Sequence, residues 1–404
     1  MAGPLKGFRV LDLSRILAGP WACQLMADFG ADVIKVERPG CGDDTRAWGP
    51  PFLGECDGRA QSAYFLAANR GKRSLTLDIS TAQGQQIVRE LVASVDVFVE
   101  NYKTGDMARY GLDYESLAKV NPRLVYCSIT GFGQTGPFSN RPGYDFVIQG
   151  MGGLMSVTGE AEEDAGRPMK CGVPVSDLMT AMYAISGILA ALLERQTSGR
   201  GQYIDMSLLD VQVAWLANQA SNYLVSGESP GRMGNAHPNL APYQTFRAAD
   251  GDVIIAVGND RQFVALCHAL DAADLAVDPR YATNSGRLAC RRELVAALDH
   301  RTRIRSKEWL LSALTAAGVP VGPVLSIQEA LNNPQVRARG LVRSIVDARG
   351  TPVPFIANPV RFSRSHLEYE RAPPTLGEHT AEILSRSLDR DDPEINALRA
   401  SRSI

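Results

Sequence analysis

Short apolar runs alternate with helical spacing over the first 130 residues of this chain, and that alternation limits what it can fold into. Residues 8–14 (FRVLDLS), 31–38 (ADVIKVER), 75–79, 96–100 (DVFVE) and 124–130 (LVYCSIT) read as strands. Between the first two, Trp21, Leu25, Met26 and Phe29 recur at helical spacing, and Gly30 stands where a C′ glycine ends a helix. Ser80 or Thr81 caps a second helix reaching about residue 94. Strands alternating with helices indicate βαβ units and a mostly parallel sheet. The expected fold class is α/β.

Residues 39–68 break the rhythm. They hold Gly, Pro, Asp and the aromatics Trp48, Phe52 and Tyr64 without periodicity, and a loop of that length inside a compact domain is usually functional. Glycine-rich residues 131–153 and a polar stretch at 159–167 follow. Asp177 then opens a long apolar helix to about residue 195, followed by a strand at 203–205 and a helix over about 208–223. The run SGESPGRMGNAHP (226–238) marks a boundary, with a second α/β region beyond it. From about Arg337 the chain reads as irregular and proline-rich.

Composition narrows the class. At about 150 residues per domain, 404 residues give two or three domains. Lys plus Arg is 42 against 44 Asp plus Glu, a net charge of −2 that argues against a general nucleic-acid binder. No apolar run of about 18 residues stands out as a membrane span, and the first residues lack a secretory pattern. Seven scattered cysteines with no CxxC pair read as reduced thiols in the cytoplasm. Five dispersed histidines without HExxH argue against a metal site.

Several residues stand at positions where chemistry is done. GFGQTG (131–136) follows a strand, but Pro137 comes next and no helix begins there, so the dinucleotide fingerprint lacks its helix N-terminus. Asp177 heads an apolar helix, where a first-turn acid is an ordinary structural device. The same surroundings keep a carboxylate ionised and suit a nucleophile for acyl transfer. Arg38, Arg46, Lys72, Arg73 and Arg109 follow strands or sit in neighbouring loops; each alone reads as a surface charge, and together they suit phosphates. Trp48 and Tyr144 suit an acyl or purine pocket, or loop anchoring. His237, in a Gly-Asn-Ala-His-Pro turn, suits a loop hydrogen bond. No GxSxG elbow or phosphate-binding GxxxxGK[ST] is present.

The opening from PLKGFRVLDLSRILAGPWACQLMADFGADVIKVERPGCGDDTRAWGPPF resembles that of the family III CoA-transferases. NRGKRSLTLDI, VFVENYKTG, YCSITGFGQTGP, RPGYD, SDLMTAMYAISGILAALLERQTSGRGQYIDMSLLD and PPTLGEHT continue the likeness over nearly the whole chain. The resemblance implies that Asp177 is the nucleophile, passing through an aspartyl anhydride and an aspartyl-CoA thioester. It places Arg38, Lys72, Arg73, Asn101, Tyr102 and Arg109 at the CoA nucleotide. Trp48 and Tyr144 fall near the acyl group, and Leu17, Gly234 and His237 fall at positions lining the substrate pocket. Leu17 replaces a glutamine of the formyl-CoA transferase type, and Gly234-Asn235-Ala236-His237 replaces its glycine run, which argues against the smallest acceptors such as oxalate. GDDTRAWGPPF and AHPNLAPYQTF most resemble the branch using succinyl-CoA and glutarate or a similar dicarboxylate, itaconate included. A distal carboxylate needs a cation, and Arg15 and Arg46 are the candidates.

The related 2-methylacyl-CoA racemases use a histidine where this chain has Tyr144, and an unperturbed phenol near pH 10 suits that proton transfer poorly. Racemase or epimerase activity, and non-catalytic CoA-ester binding, are the alternative readings. The resemblance also implies an interlocked homodimer and no permanently bound cofactor, a CoA thioester being the substrate. The expected layout is a large Rossmann-like CoA-binding domain over 1–224, a small domain over 225–335 and a C-terminal segment, 336–404, returning to the large one.

Overall fold

A computed structural model describes residues 2–54 and 60–404; Cys56 lies outside them. The chain divides into two compact units. The larger combines Met1–Leu154, Cys171–Ser221 and Gln335–Ile404; the smaller combines Met155–Lys170 with Asn222–Pro334. The segment at 155–170 therefore groups with the small unit, whereas the sequence reading kept it in the large domain.

The large unit is built on strands β1 (Arg9–Asp12), β2 (Asp32–Glu37), β3 (Lys72–Thr76), β4 (Val97–Glu100), β5 (Val125–Thr130) and β6 (Tyr203–Ser207). They pair in parallel in the order β3-β2-β1-β4-β5-β6. The strand order reverses between β1 and β4, and ligands of such sheets bind at the carboxyl ends of the strands beside that reversal. Helices α1 (Ala18–Asp28), α2 (Ala82–Val92), α3 (Asp145–Met151), α4 (Val175–Ser198) and α5 (Leu208–Ala214) belong to the same unit. Thr81 caps α2 by accepting the Gly84 N–H, as its position in the sequence predicts.

The alternation of side chains along each strand feeds two cores. Val10, Val33, Val97, Val99 and Val125 pack with Ala22, Met26, Ile185 and Ile188 of α1 and α4. Leu11, Ile34, Leu75, Phe98 and Tyr126 pack with Ile87 and Leu91 of α2 on the other face. The reading of one helix over 208–223 is corrected: α5 ends at Ala214, and a separate helix, Ala217–Ser226, begins at a residue with φ of 49°.

The small unit has an antiparallel sheet of β7 (Tyr243–Ala248), β8 (Gly251–Ala256) and β9 (Val321–Pro323), in the order β9-β8-β7. Helices α6 (Asp260–Ala269), α7 (Arg291–Thr302) and α8 (Lys307–Ala316) supply Phe263, Leu266, Leu294, Leu298, Leu310 and Leu314 to its core. The return segment is more regular than its prolines suggest. It forms a hairpin of β10 (Val342–Val346) and β11 (Pro352–Ile356), then helices α9 (Thr380–Leu388) and α10 (Asp392–Ala400). Ile383, Leu384 and Ile395 enter the core beside Leu11 and Ile34, so the tail completes the large unit.

Charged side chains also lie inside the large sheet. Lys35 donates to Asp43 Oδ2 at 2.9 Å and to the Ser14 carbonyl at 2.8 Å. Lys72 donates to Asp12 Oδ2 at 2.9 Å, Asn69 Oδ1 at 2.8 Å and the Pro20 carbonyl at 2.9 Å. All four side chains of these two ion pairs are 0% exposed. Burial opposes the charge of Asp43, but Lys35 and the Thr45 hydrogen bonds outweigh it and hold the carboxyl down at about 2. Such pairs are costly to break, because the survivor is a buried charge without a partner.

Lys35→Met is therefore expected to destabilise the large unit by about 3–5 kcal/mol, measured by urea unfolding, with Lys35→Met/Asp43→Leu recovering part of the loss. Because the folded pKa of Asp43 is depressed, its contribution is present above pH ~4 and disappears as pH falls towards 2.

Candidate active site

The carboxyl ends of β1 and β4 are tied together by one side chain. Asn101 Oδ1 accepts the Arg15 N–H at 2.8 Å, and Asn101 Nδ2 donates to the Arg15 carbonyl at 2.7 Å. Asn101 is thus a brace at the strand-order reversal. The Arg15 guanidinium lies 5.6 Å from the centre of the Tyr102 ring and pairs with Asp44 at 2.9 Å. Its Nε is buried without a hydrogen-bond partner. Glu100 accepts the Tyr102 N–H at 2.7 Å, and burial pushes the Glu100 carboxyl up to about 7.

Asp43 links this end of the sheet to the loop after β2. Its Oδ1 accepts N–H groups from Ile16 at 3.2 Å and Thr45 at 3.0 Å. That loop carries Trp48, whose ring meets Tyr64 edge-on at 5.1 Å. Ser62 seals the turn by donating to the Trp48 carbonyl.

Asp177 lies in the first turn of α4 and is partly buried. The helix begins at Val175, two residues earlier than read from the sequence, and its own N-cap, Pro174, offers no side-chain acceptor. The cap comes from another helix. Asp145, the first residue of α3, accepts the N–H of Ser176 at 2.8 Å and of Asp177 at 3.2 Å. That satisfies two of the orphan donors at a helix start. It also leaves the Asp177 carboxylate free of the capping role.

Among the described residues, no side chain donates a hydrogen bond to that carboxylate. Burial, and then the charge of Asp145, push its pKa up to about 7. Among the described residues, no lysine or arginine offsets them. Tyr64 faces the same group: burial first, then Asp177, Asp145 and Asp43, push its phenol up to about 12. Asp145 and Tyr64 are the neighbours that sequence reasoning left without a role. The signal for Asp145 was its position next to Tyr144 in RPGYD; Tyr64 had only its place in the long loop.

The cationic candidates separate sharply. Arg38 is exposed at the end of β2, with no carboxylate partner among the described residues. Arg109 is exposed, 3.1 Å from Asp106, with its guanidinium against the Tyr110 ring. Lys72 and Arg73 are corrections to the phosphate-binding expectation. Strand β3 begins at Lys72, not at residue 75, so both are in the sheet. Lys72 is spent on Asp12, while Arg73 forks onto Asp32 at 2.9 and 2.6 Å. Arg46 is likewise corrected as a partner for a distal carboxylate. It forks onto Glu37 with two contacts of 2.7 Å and stacks on Phe65 at 3.7 Å.

Of the proposed pocket residues, Trp48 and Tyr144 are exposed, whereas Leu17 is buried at the head of α1. Gly234, with φ of 59°, lines a groove of about 1460 Å³ in the small unit. His237 makes the loop hydrogen bond that its turn suggests: its Nδ1 accepts the Asn239 N–H at 3.0 Å, and its ring packs on Tyr243 at 5.0 Å. It anchors the loop. Among the described residues, no group of three or more His, Cys, Asp or Glu is placed to hold a metal ion.

A sequence profile described as CoA-transferase family III matches residues 5–380. The chain belongs to that family. It is 53% identical over 383 residues to the succinate–glutarate CoA-transferase of Agrobacterium fabrum, covering 95% of each protein. It is 42% identical to the human succinyl-CoA:glutarate CoA-transferase, covering 98% of this chain and 88% of that protein. The crystal structure of a CAIB/BAIF family protein from Brucella suis superposes with a TM-score of 0.85 at 51% identity, covering 96% of this chain and all of that one. The chain is thus a CoA-transferase, an enzyme whose substrates are CoA thioesters and carboxylic acids.

The charge of Asp145 gives a test of the local electrostatics. Asp145→Asn keeps an oxygen for the helix head but removes the charge, so the pH midpoint for ionising Asp177 is expected to fall from about 7. Stability reports the same group. Its folded pKa is raised above its unfolded value, so ionising it costs stability as pH climbs from ~4, and the cost is complete above about 7. Asp177→Asn should melt above wild type at pH 8, and that margin should vanish near pH 4; a pH-independent margin excludes the assignment.

Proposed function

We propose that Asp177 is the nucleophile of a transferase moving CoA from succinyl-CoA to glutarate or a similar dicarboxylate. The observation that carries this is the Asp177 carboxylate itself: partly buried, unpaired, and ionising at about 7. A poorly solvated carboxylate is a strong nucleophile once ionised, and at neutral pH much of it is ionised.

An Asp177 oxygen attacks the thioester carbonyl, the C–S bond breaks, and a mixed anhydride forms with CoA thiolate released. The thiolate attacks the aspartyl carbonyl, expelling the donor acid and leaving an aspartyl-CoA thioester. The acceptor carboxylate attacks that thioester and displaces the thiolate, giving a second anhydride. The thiolate then takes the acceptor's acyl group and frees the Asp177 carboxylate. No proton is consumed across the cycle, which fits a site where Asp177 has no general-base partner among the described residues.

Arg38, Asn101, Tyr102 and Arg109 are proposed around the CoA nucleotide, at the strand ends where such sheets bind ligands. Trp48 and Tyr144 are proposed around the acyl chain. With Arg46 committed to Glu37, Arg15 is the proposed partner of the distal carboxylate: its Nε is buried and unpartnered, and its ion pair with Asp44 is exposed. The name of the 53% identical relative supports the choice of substrates.

A homodimer is part of the same proposal. Among the described residues, α4 alone is long and apolar enough to cross a membrane. In this fold its Ile185, Ile188 and Leu192 enter the core, while Met182, Leu189 and Leu193 form an exposed stripe at helical spacing. A second copy of the chain would cover it. Membrane insertion is not needed to explain the helix, and we place the enzyme in the cytoplasm.

Incubation with succinyl-CoA followed by hydroxylamine should label Asp177, and Asp177→Asn should lower transfer by at least ~10³-fold. A label mapped to another residue, with Asp177→Asn active, refutes the mechanism. Arg15→Met should raise the KM for glutarate by about tenfold while leaving a monocarboxylate acceptor within about twofold. Equal effects on both acceptors exclude Arg15 as the distal partner.

A further inference from the structure

We propose that Gln149 is a positioning residue for the reaction, clamping the Asp145 carboxylate against the head of α4 so that a fixed anion faces Asp177. The inference rests on the reading of Asp177 as the nucleophile.

Gln149 is 0% exposed and lies one helical turn after Asp145 on α3. Its Nε2 donates to Asp145 Oδ2 at 2.7 Å. Its Oε1 accepts the Cys171 N–H at 2.8 Å, on the segment leading into α4. Asp145 Oδ1 meanwhile accepts the N–H groups of Ser176 and Asp177. Both oxygens of Asp145 are therefore engaged, one by the helix head and one by the amide.

The Gln149 amide satisfies both ends of this clamp in a single protonation state. It donates to a carboxylate and accepts from a backbone N–H, whereas an ionised carboxylate cannot donate and a thioether does neither well. A second tether holds the same turn: Ser176 Oγ donates to Gln212 Oε1 at 2.7 Å, with both residues 0% exposed. Without Gln149, Asp145 keeps its bonds to the helix head through Oδ1 but loses the donor that fixes Oδ2, so its carboxylate is held less firmly. Among the described residues, the titratable groups that meet here are Asp145 on α3, Asp177 on α4 and the neutral Tyr64 phenol from the long loop. No lysine or arginine acts on Asp177 among the described residues.

The test uses the full-length enzyme, succinyl-CoA, and rapid-quench intact-mass detection of the covalent adduct between pH 5.5 and 8.5, with thermal melts in parallel. Wild type should show a midpoint of about 7. Gln149→Met should shift the midpoint down by about half a unit or more, because the Asp145 charge is then held less firmly against Asp177. Its plateau rate should fall about tenfold, with the KM for succinyl-CoA within about twofold. Gln149→Glu should shift the midpoint up, because a second carboxylate then faces the pair.

A residue that merely supports the fold lowers the melting temperature and leaves both midpoints at the wild-type value, and that result overturns the proposal. Where Gln149→Met does not fold, Gln149→Glu decides; if neither folds, Gln149 is a fold residue and the proposal falls. Asp177→Asn runs alongside. An adduct persisting there rejects the nucleophile itself, whereas its loss with unshifted Gln149 variants rejects only the clamp.

Discussion

Lys35 and Asp43 meet at 2.9 Å with neither side chain exposed, and the catalytic end of the large unit hangs from that contact. Asp43 does more than neutralise Lys35. It takes backbone N–H groups from Ile16 and Thr45, which fixes the turn after β1 and the turn that carries Trp48. Arg46 holds the next residues by forking onto Glu37, itself on β2, and by stacking on Phe65. A segment with almost no regular structure is thereby anchored to the rigid sheet by charge. Replacing these pairs with apolar side chains would save desolvation, but apolar groups would not supply the directional bonds that set the turns.

The same logic appears with the opposite sign at the head of α4. There a carboxylate is left unpaired, and a second carboxylate is held close to it. Asp145 satisfies the helix head, so Asp177 is not drawn into capping its own helix. The helix start favours an anion, but burial and the Asp145 charge outweigh that and leave Asp177 ionising at about 7. On the proposed reading of Asp177 as the nucleophile, reactivity and instability share one cause: poor solvation of its charge.

The parts of the fold legible in the sequence were those with a strong period. Strands β1, β2, β4 and β5, helix α2 and its Thr81 cap follow directly from apolar spacing and local capping chemistry. Asp177 was legible as a residue at a helix head, and the family resemblance gave it a role. What the pattern concealed was where charges point. Lys72, Arg73 and Arg46 look in sequence like cations waiting for phosphate or carboxylate, because Asp12, Asp32 and Glu37 are 60, 41 and 9 residues away. The sheet brings Lys72 and Arg73 to their partners, the turn after β2 folds Arg46 back onto Glu37, and no local period records either. The capping of α4 by Asp145 was hidden for the same reason, since donor and acceptor lie on different helices. The return segment was misread because its prolines mask a hairpin and two terminal helices.

These internal pairings bear on the proposed preference for dicarboxylates. Lys72, Arg73 and Arg46 are neutralised within the large unit and are not left for substrates there. Arg15 and Arg38 sit at neighbouring strand ends, one with a buried unpartnered Nε and the other exposed. A near-neutral chain can thus bind a CoA thioester without a broad basic surface. On the proposed role of Arg15, a monoacid acceptor would leave its Nε unsatisfied, whereas a diacid would supply the missing acceptor. Discrimination of that kind would rest on a general penalty: a buried donor without a partner disfavours every ligand that fails to engage it.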